Sequence, residues 1–272
     1  MVTQRFAVIG NPIEHSLSPL IHQWFARQCR IELSYERILL EKGFFARQVQ
    51  DFFATGGTGL NVTTPGKEEA YALCSIATSR AAVAKAVNTL WINEGKLMGD
   101  NTDGAGFLRD LKRHAVIRHP RILLLGAGGA ARGIIAPLLS LQPEILMVAN
   151  RDLEKALRLK QTFPEIAASD WQTMEGRYNL VINATSASLA AEALHLPENL
   201  LSQKPFCYDL NYDIQKPTPF VTYANKHGCR AEDGIGMLVE QAAEAFYIWH
   251  HKKPDTAAVL AYFTRKKKKP RV

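Results

Sequence analysis

Along its first segment the chain alternates between short apolar runs and amphipathic stretches. Phe6-Ala7-Val8-Ile9 is an uninterrupted apolar run that stops at Gly10, the pattern of a short buried strand. After the polar loop NPIEHSLS comes PLIHQWFARQC, which reads as a helix with Ser18 as cap and Pro19 as first helical residue. A strand is expected at Ser34 to Leu40 and a helix at Gly43 to Ala54, followed by the glycine-rich TGGTG and the strand-like LNVT. Residues 87 to 98, VNTLWINEGKLM, read as a hairpin with its turn at Asn93 to Gly95.

From residue 121 the pattern changes. RILLLGAGGAARGIIAPLLSL is a fully apolar strand, a tight glycine turn and a helix that opens within the turn. EILMVANRD, YNLVINATS and FCYDLNY read as further strands, with a helix at DLEKALRLKQTF. Strands this uniformly apolar are buried on both faces, which requires a parallel sheet covered by helices. Two helical stretches, GMLVEQAAEAFYIWH and DTAAVLAYFTRK, close the chain and are expected to return onto the first segment. The predicted fold is therefore α/β in two domains: residues 1–103 completed by helices at 239–264, and a doubly wound Rossmann-type domain at 104–238.

Composition, 47% hydrophobic and 22% charged over 272 residues, suits two ordinary globular domains. Charge changes the picture more. Of the net charge of +7, six units belong to Arg265, Lys266, Lys267, Lys268, Lys269 and Arg271. The body is nearly neutral, so no nucleic-acid face is expected, and residues 265–272 read as a solvated, disordered end. Cys29, Cys74, Cys207 and Cys229 are scattered, which fits thiols in a reducing compartment rather than disulfides or a metal site. The start MVTQRFAVIGNP has too short an apolar run for a signal-peptide core, and no stretch is long enough for a membrane span. A cytoplasmic protein is expected, in which the sequon Asn61-Val62-Thr63 is accidental.

Gly126-Ala127-Gly128-Gly129-Ala130-Ala131 fits G-x-G-x-x-G/A, and it follows a strand and opens a helix. Glycines there let the backbone approach a pyrophosphate, which rests on the free amides of the helix start. A tight turn without a ligand is the plain alternative. The next strand ends at Asn150-Arg151, where NAD-binding chains place Asp or Glu for the ribose hydroxyl and where Arg suits a 2′-phosphate. The sequence thus leans toward NADP, with Arg151 as clamp and Lys155 one turn on; Asp152 opposes this if its charge points inward.

Polar clusters mark the first segment: Ser16 and Ser18 in HSLSP, Asn61, Thr63 and Lys67 in NVTTPGK, Asn88 in AVNTL, and Asp103 in GDNTDGAGF. Singly, each has a structural explanation, since Ser18 or Asp103 could cap its helix and Asn88 could bond backbone. In LNVTTPGK, residues 61 and 63 share one face by strand alternation, which suits a polyhydroxylated ligand. Thr64 is expected to cap a helix that starts at Pro65, which puts Lys67 at the third helical position. A cation there opposes the helix dipole.

Together with GAGGAARG, NRD, NATS, YDLNY and GIGMLVEQAAEAF, these stretches resemble the shikimate dehydrogenase family from Gly10 to about Trp249. The resemblance implies NADP-dependent interconversion of 3-dehydroshikimate and shikimate, a step toward aromatic amino acids, in a cleft between the domains. It implies Lys67 and Asp103 as the catalytic pair. It implies substrate contacts from Ser16, Ser18, Asn61, Thr63, Asn88, Asp103, Tyr212 and Gln241. Cofactor contacts would come from Gly126, Ala127, Gly128, Gly129, Ala130, Asn150, Arg151, Asp152, Lys155, Leu210 and Gly234. No metal is implied, and the partner is a small molecule bound by a monomer or homodimer. Three departures stand out: Asp152 where many relatives have Thr, Ser188 where Gly is usual, and Gly66 where a bulkier residue is common and whose smallness is expected to loosen the helix start. Two other readings remain: a quinate/shikimate dehydrogenase using NAD, and a catalytically silent dinucleotide-binding regulator.

Overall fold

The computed structural model describes residues 3–114, 118–185 and 196–268. They form two compact units: the chain up to Gly106 with Leu238–Leu260, and Phe107–Met237 with the chain from Ala261.

In the first unit β1 (Gln4–Gly10), α1 (Ser18–Cys29), β2 (Leu33–Leu39), α2 (Phe45–Ala54) and β3 (Gly57–Val62) are followed by α3 (Lys67–Leu73), β4 (Ile76–Ala77), α4 (Ser79–Ala84), β5 (Thr89–Asn93) and β6 (Lys96–Asp100). The sheet order is β2-β1-β3-β5-β6-β4. β1 runs parallel to β2 and β3, and β5 and β6 are antiparallel additions. Alternate residues of β1 enter different clusters: Ala7 and Ile9 pack with Leu60, Val62 and Phe45, while Phe6 and Val8 pack with Tyr35. Burial on both faces is why the run is apolar without interruption. Glu94 and Gly95 have φ of 50° and 71°, the left-handed pair that a two-residue hairpin turn requires.

Two helix starts differ from expectation. Ser18 is itself the first residue of α1, and Leu17 occupies the cap position with no side-chain cap. The Ser18 amide is served instead by Ser16 Oγ at 3.4 Å. α3 starts at Lys67 rather than Pro65, because residues 63–66 are taken up in a turn closed by Gly66 N–H to the Thr63 carbonyl at 3.0 Å. Gly66 does not loosen that start: it is buried, and a Cβ there would crowd Phe45 and Val62.

The second unit is built on α5 (Asp103–His114, from Phe107 onward), β7 (Arg121–Leu125), α6 (Gly129–Leu139), β8 (Ile145–Asn150), α7 (Leu153–Thr162), β9 (Ala167–Asp170) and β10 (Leu180–Asn183). α8 (Glu198–Leu201), β11 (Phe206–Asp209), α9 (Pro219–Lys226) and β12 (Ala231–Glu232) complete its sheet layer, and α10 (Ile235–His250) and α11 (Ala257–Lys268) end the chain. All six strands are parallel in the order β9-β8-β7-β10-β11-β12. This is the doubly wound arrangement, in which the strand order reverses beside the first strand, β7. Ile122 and Leu124 of β7 face one core cluster, and Leu123 and Leu125 face the other.

The expected disordered end is corrected in part. α11 continues to Lys268, with Arg265 Nε donating to the Ala261 carbonyl and Lys266 lying 5.5 Å over the Tyr262 ring. Cations in a last helical turn complement the dipole. Residues 269–272 lie outside the described residues.

Candidate active site

Lys67 and Asp103 each begin a helix, α3 and α5, and their side chains meet: Nζ donates to Oδ2 at 2.7 Å, with the pair only 14% and 6% exposed. The hairpin brings them together. Thr89 stands opposite Asp100 in the β5–β6 ladder, so Asn88, just before β5, lies beside residues 101–103, just after β6. The Val87 amide donates to the Lys67 carbonyl at 2.9 Å, which fixes α3 to the same edge. Asn101 accepts the Asp103 amide at 3.1 Å and donates to the Ala86 carbonyl at 2.9 Å. Because Asn101 serves that amide, the Asp103 carboxylate is left for Lys67. An anion at a helix start and a cation beside it satisfy each other, and the carboxylate offsets the unfavourable end of α3.

Around the pair the predicted polar residues form one connected set. Asn88 Nδ2 donates to Asp103 Oδ1 at 2.8 Å and to Thr102 Oγ1 at 3.0 Å, and lies 3.4 Å from Gln241 Oε1. Asn61 Nδ2 donates to the Asn88 carbonyl and to Thr89 Oγ1, and Asn61 Oδ1 accepts from Tyr35 at 2.6 Å. Ser18 is a hydrogen-bond neighbour of that phenol. Ser16 is half-buried, its carbonyl gripped by the Arg37 guanidinium at 2.6 and 2.9 Å. Residues 61 and 63 differ in setting, because β3 ends at Val62 and Thr63 opens the turn that follows. Asn61 turns away from the Leu60 and Val62 core, while Thr63 is half-buried in the turn and packs against Gly10.

Tyr35, Thr89 and Thr102 went unremarked in the sequence, although one signal was present. A tyrosine on the inward face of LSYERIL must find a partner for its hydroxyl.

In the second unit the glycine loop has a defined shape. Gly126 has φ +105° and a Cβ there would crowd the Ala184 backbone, whereas no atom lies within 4 Å of a Cβ built on Gly128. Gly129 opens α6 with no side-chain cap, and Ala127, Ala130 and the buried Ala131 add no polar group to the turn. A bare amide-lined helix start beside an open backbone fits the pyrophosphate of a dinucleotide. Asn150 Nδ2 donates to the Asp152 carbonyl at 2.9 Å, and the Asp152 carboxylate accepts the Glu154 amide at 3.1 Å as the cap of α7. The charge of Asp152 is thereby engaged by its own helix, while Arg151 and Lys155 are exposed on that edge. Gly234 and Leu210 touch, so that a Cβ on Gly234 would strike the Leu210 carbonyl. Tyr212 is half-buried in the loop after β11. Ser188 lies outside the described residues.

Titratable groups outside the Lys67–Asp103 pair divide by unit. In the first, His22 is fully buried between aromatic rings and burial pulls it down to about 3, with His250 adding to the effect. Burial, with Lys252 and His251, lowers His250 to about 4. In the second, hydrogen bonds to Asp110 and Glu232 raise His114 to about 9.

Three family models match in order: a shikimate dehydrogenase substrate binding domain over residues 8–90, a shikimate/quinate 5-dehydrogenase over 110–219 and a shikimate 5′-dehydrogenase C-terminal domain over 234–261. The chain is 55% identical to the shikimate dehydrogenase (NADP(+)) of Legionella pneumophila strain Lens, over 94% of this chain and 97% of that one. Its structure matches an Ael1 enzyme from Pseudomonas putida with TM-score 0.87 and 42% identity, covering 96% and 98% of the two chains. It also matches the shikimate 5-dehydrogenase of Thermus thermophilus, solved with NADP(H) and shikimate, with TM-score 0.85, 32% identity and coverage of 97% and 100%.

Proposed function

The chain belongs to the shikimate dehydrogenase family, and from that premise we propose that it interconverts 3-dehydroshikimate and shikimate with NADP as cofactor. The observation that carries the reading is the part-buried Lys67–Asp103 pair at 2.7 Å, set among Asn61, Asn88 and Gln241. Bound NADPH supplies the hydride that the carbonyl carbon accepts. Lys67, as an ammonium, donates the proton that the carbonyl oxygen takes up as negative charge gathers on it; in the reverse direction neutral Lys67 takes it back. Asp103 holds Lys67 in place by accepting a hydrogen bond from its Nζ at 2.7 Å. Ser16, Ser18, Asn61, Thr63, Asn88 and Gln241 hold the ring hydroxyls and carboxylate.

On the cofactor side, the Gly126 to Ala130 turn would hold the pyrophosphate, with Asn150, Arg151 and Lys155 at the adenosine phosphate and Leu210 and Gly234 along the ring path. The exposed cations Arg151 and Lys155 support NADP over NAD, and Asp152, which caps α7 through the Glu154 amide, has a structural role of its own on that edge. Four free cysteines support a reducing, cytoplasmic setting.

The test is NADPH formation, followed by absorbance, with shikimate and NADP. Turnover is expected, with quinate and with NAD each giving much lower kcat/KM. Absence of turnover despite NADPH binding would replace this reading with that of a silent dinucleotide-binding regulator.

A further inference from the structure

The side chains around Asp103 are joined in a single direction. Tyr35 donates to Asn61 Oδ1 at 2.6 Å, Asn61 Nδ2 donates to Thr89 Oγ1 at 3.1 Å, Thr89 donates to Asn88 Oδ1 at 2.9 Å, and Asn88 Nδ2 donates to Asp103 Oδ1 at 2.8 Å. Every link is buried. The far end is held as well, because the Tyr35 ring stacks on His22 with centroids 4.4 Å apart and planes 16° from parallel.

An amide side chain has one oxygen and one NH2 group, and rotation by half a turn exchanges them. If Asn88 turned, its oxygen would face the Asp103 carboxylate and repel it. Two donations to Asn88 Oδ1 oppose this, from Thr89 Oγ1 at 2.9 Å and the Thr102 amide at 2.9 Å. The phenol of Tyr35 completes the same arrangement at Asn61: the Asn61 Nδ2 hydrogens go to the Asn88 carbonyl and Thr89 Oγ1, and its oxygen accepts from the phenol at 2.6 Å. Burial keeps that phenol protonated and therefore a donor.

We propose that Tyr35 and Thr89 are positioning residues: neither supplies the reacting proton, and each fixes which way a buried site amide is turned, Tyr35 acting on Asn61 and Thr89 acting on Asn88 and through it on Asp103. The proposal rests on the shikimate dehydrogenase reading above. A fully satisfied buried network specifies one arrangement, and a broken one permits several.

Steady-state kinetics on the full chain test it, with thermal melting run on every variant. Thr89→Val removes the donor to Asn88 and is expected to lower kcat roughly tenfold, the effect of one misplaced hydrogen bond to a charged group, with the KM for NADP unchanged. Thr89→Ser restores the hydroxyl and is expected to recover most of that loss. Tyr35→Phe removes the donor to Asn61 and is expected to raise the KM for shikimate about fivefold to tenfold with a smaller change in kcat. A role limited to stability would lower the melting temperature and leave these parameters at wild-type values, and that outcome overturns the proposal. So does failure of Thr89→Ser to recover what Thr89→Val loses. If Thr89→Val does not fold, the kinetics of Tyr35→Phe against wild type decide. An inactive wild-type protein would instead overturn the dehydrogenase reading and the proposal with it.

Discussion

The sites proposed in the two units are built by different means. In the first, the site consists of side chains already bonded to one another: Lys67, Asp103, Asn88 and Asn61 each have named partners within 3.1 Å. In the second, the proposed dinucleotide face is a shape of backbone, a left-handed Gly126, an open Gly128 and an uncapped helix start. A substrate that must be oriented for proton transfer calls for fixed charges, whereas a pyrophosphate needs amides and room. Substitutions should therefore act through different parameters in the two units.

The largest effect is expected at the paired charges. Lys67→Ala should lower kcat by roughly 10² to 10⁴ with much less change in the KM for shikimate, as loss of a general acid does. A kcat within a few fold of wild type would remove Lys67 from the chemistry. On the other side, Gly126→Val should weaken NADPH binding at least about tenfold, because the left-handed backbone costs a branched residue roughly 1 to 3 kcal/mol and the turn must move. Fluorescence titration of NADPH would measure it, and unchanged affinity would show that the turn does not depend on that conformation.

Stability against pH should distinguish the units with a smaller effect. His22 and His250, ordinary at 6.5 when unfolded, are held near 3 and 4 in the fold. The unfolded chain binds those protons first, so the first unit is fully stabilised above 6.5 and loses stability as pH falls below it. His114 is raised to about 9, so its contribution is fully present below 6.5 and disappears as pH rises through 9. Hydrogen exchange, corrected for the intrinsic rate, should show Phe25 and Phe246 losing protection toward acid and α5 near Asp110 losing it toward alkali. The same response in both units at both extremes would contradict the assignment. The smallest effect is expected for Asp152→Ser, which keeps a capping oxygen and should change the KM for NADP by less than about threefold. A large gain in NADP affinity would mean that the carboxylate does reach the phosphate.

Much of the fold was legible because burial on both faces leaves a sequence mark. β7, β8, β10 and β11 are nearly unbroken apolar runs, and the Glu94–Gly95 turn follows from residue type. β9, reading AASD, and the two-residue β12 leave no such mark. Motifs singled out Lys67 and Asp103, which the structure brings together, but not Tyr35, Thr89 and Thr102, which bond to the polar set around them. Tyr35 and Asn61 are 26 positions apart, and Asn61 and Thr89 are 28 apart, so their pairing exists only once β2, β3 and β5 share a sheet. Helix starts were misjudged where a turn took amides that the sequence assigns to a cap.

The β5–β6 hairpin also implies an order of events. Asn88 and Asp103 are separated by 15 positions, Lys67 and Asp103 by 36, and Asn88 and Gln241 by 153. Closing a short loop costs less entropy than closing a long one, and hairpins form within about microseconds. During folding the carboxylate should be set against its amide first and receive its lysine next. The Gln241 contact should come last, once α10 has been made, so a ribosome-bound fragment that ends before α10 would already carry the Lys67–Asp103 pair without its glutamine neighbour.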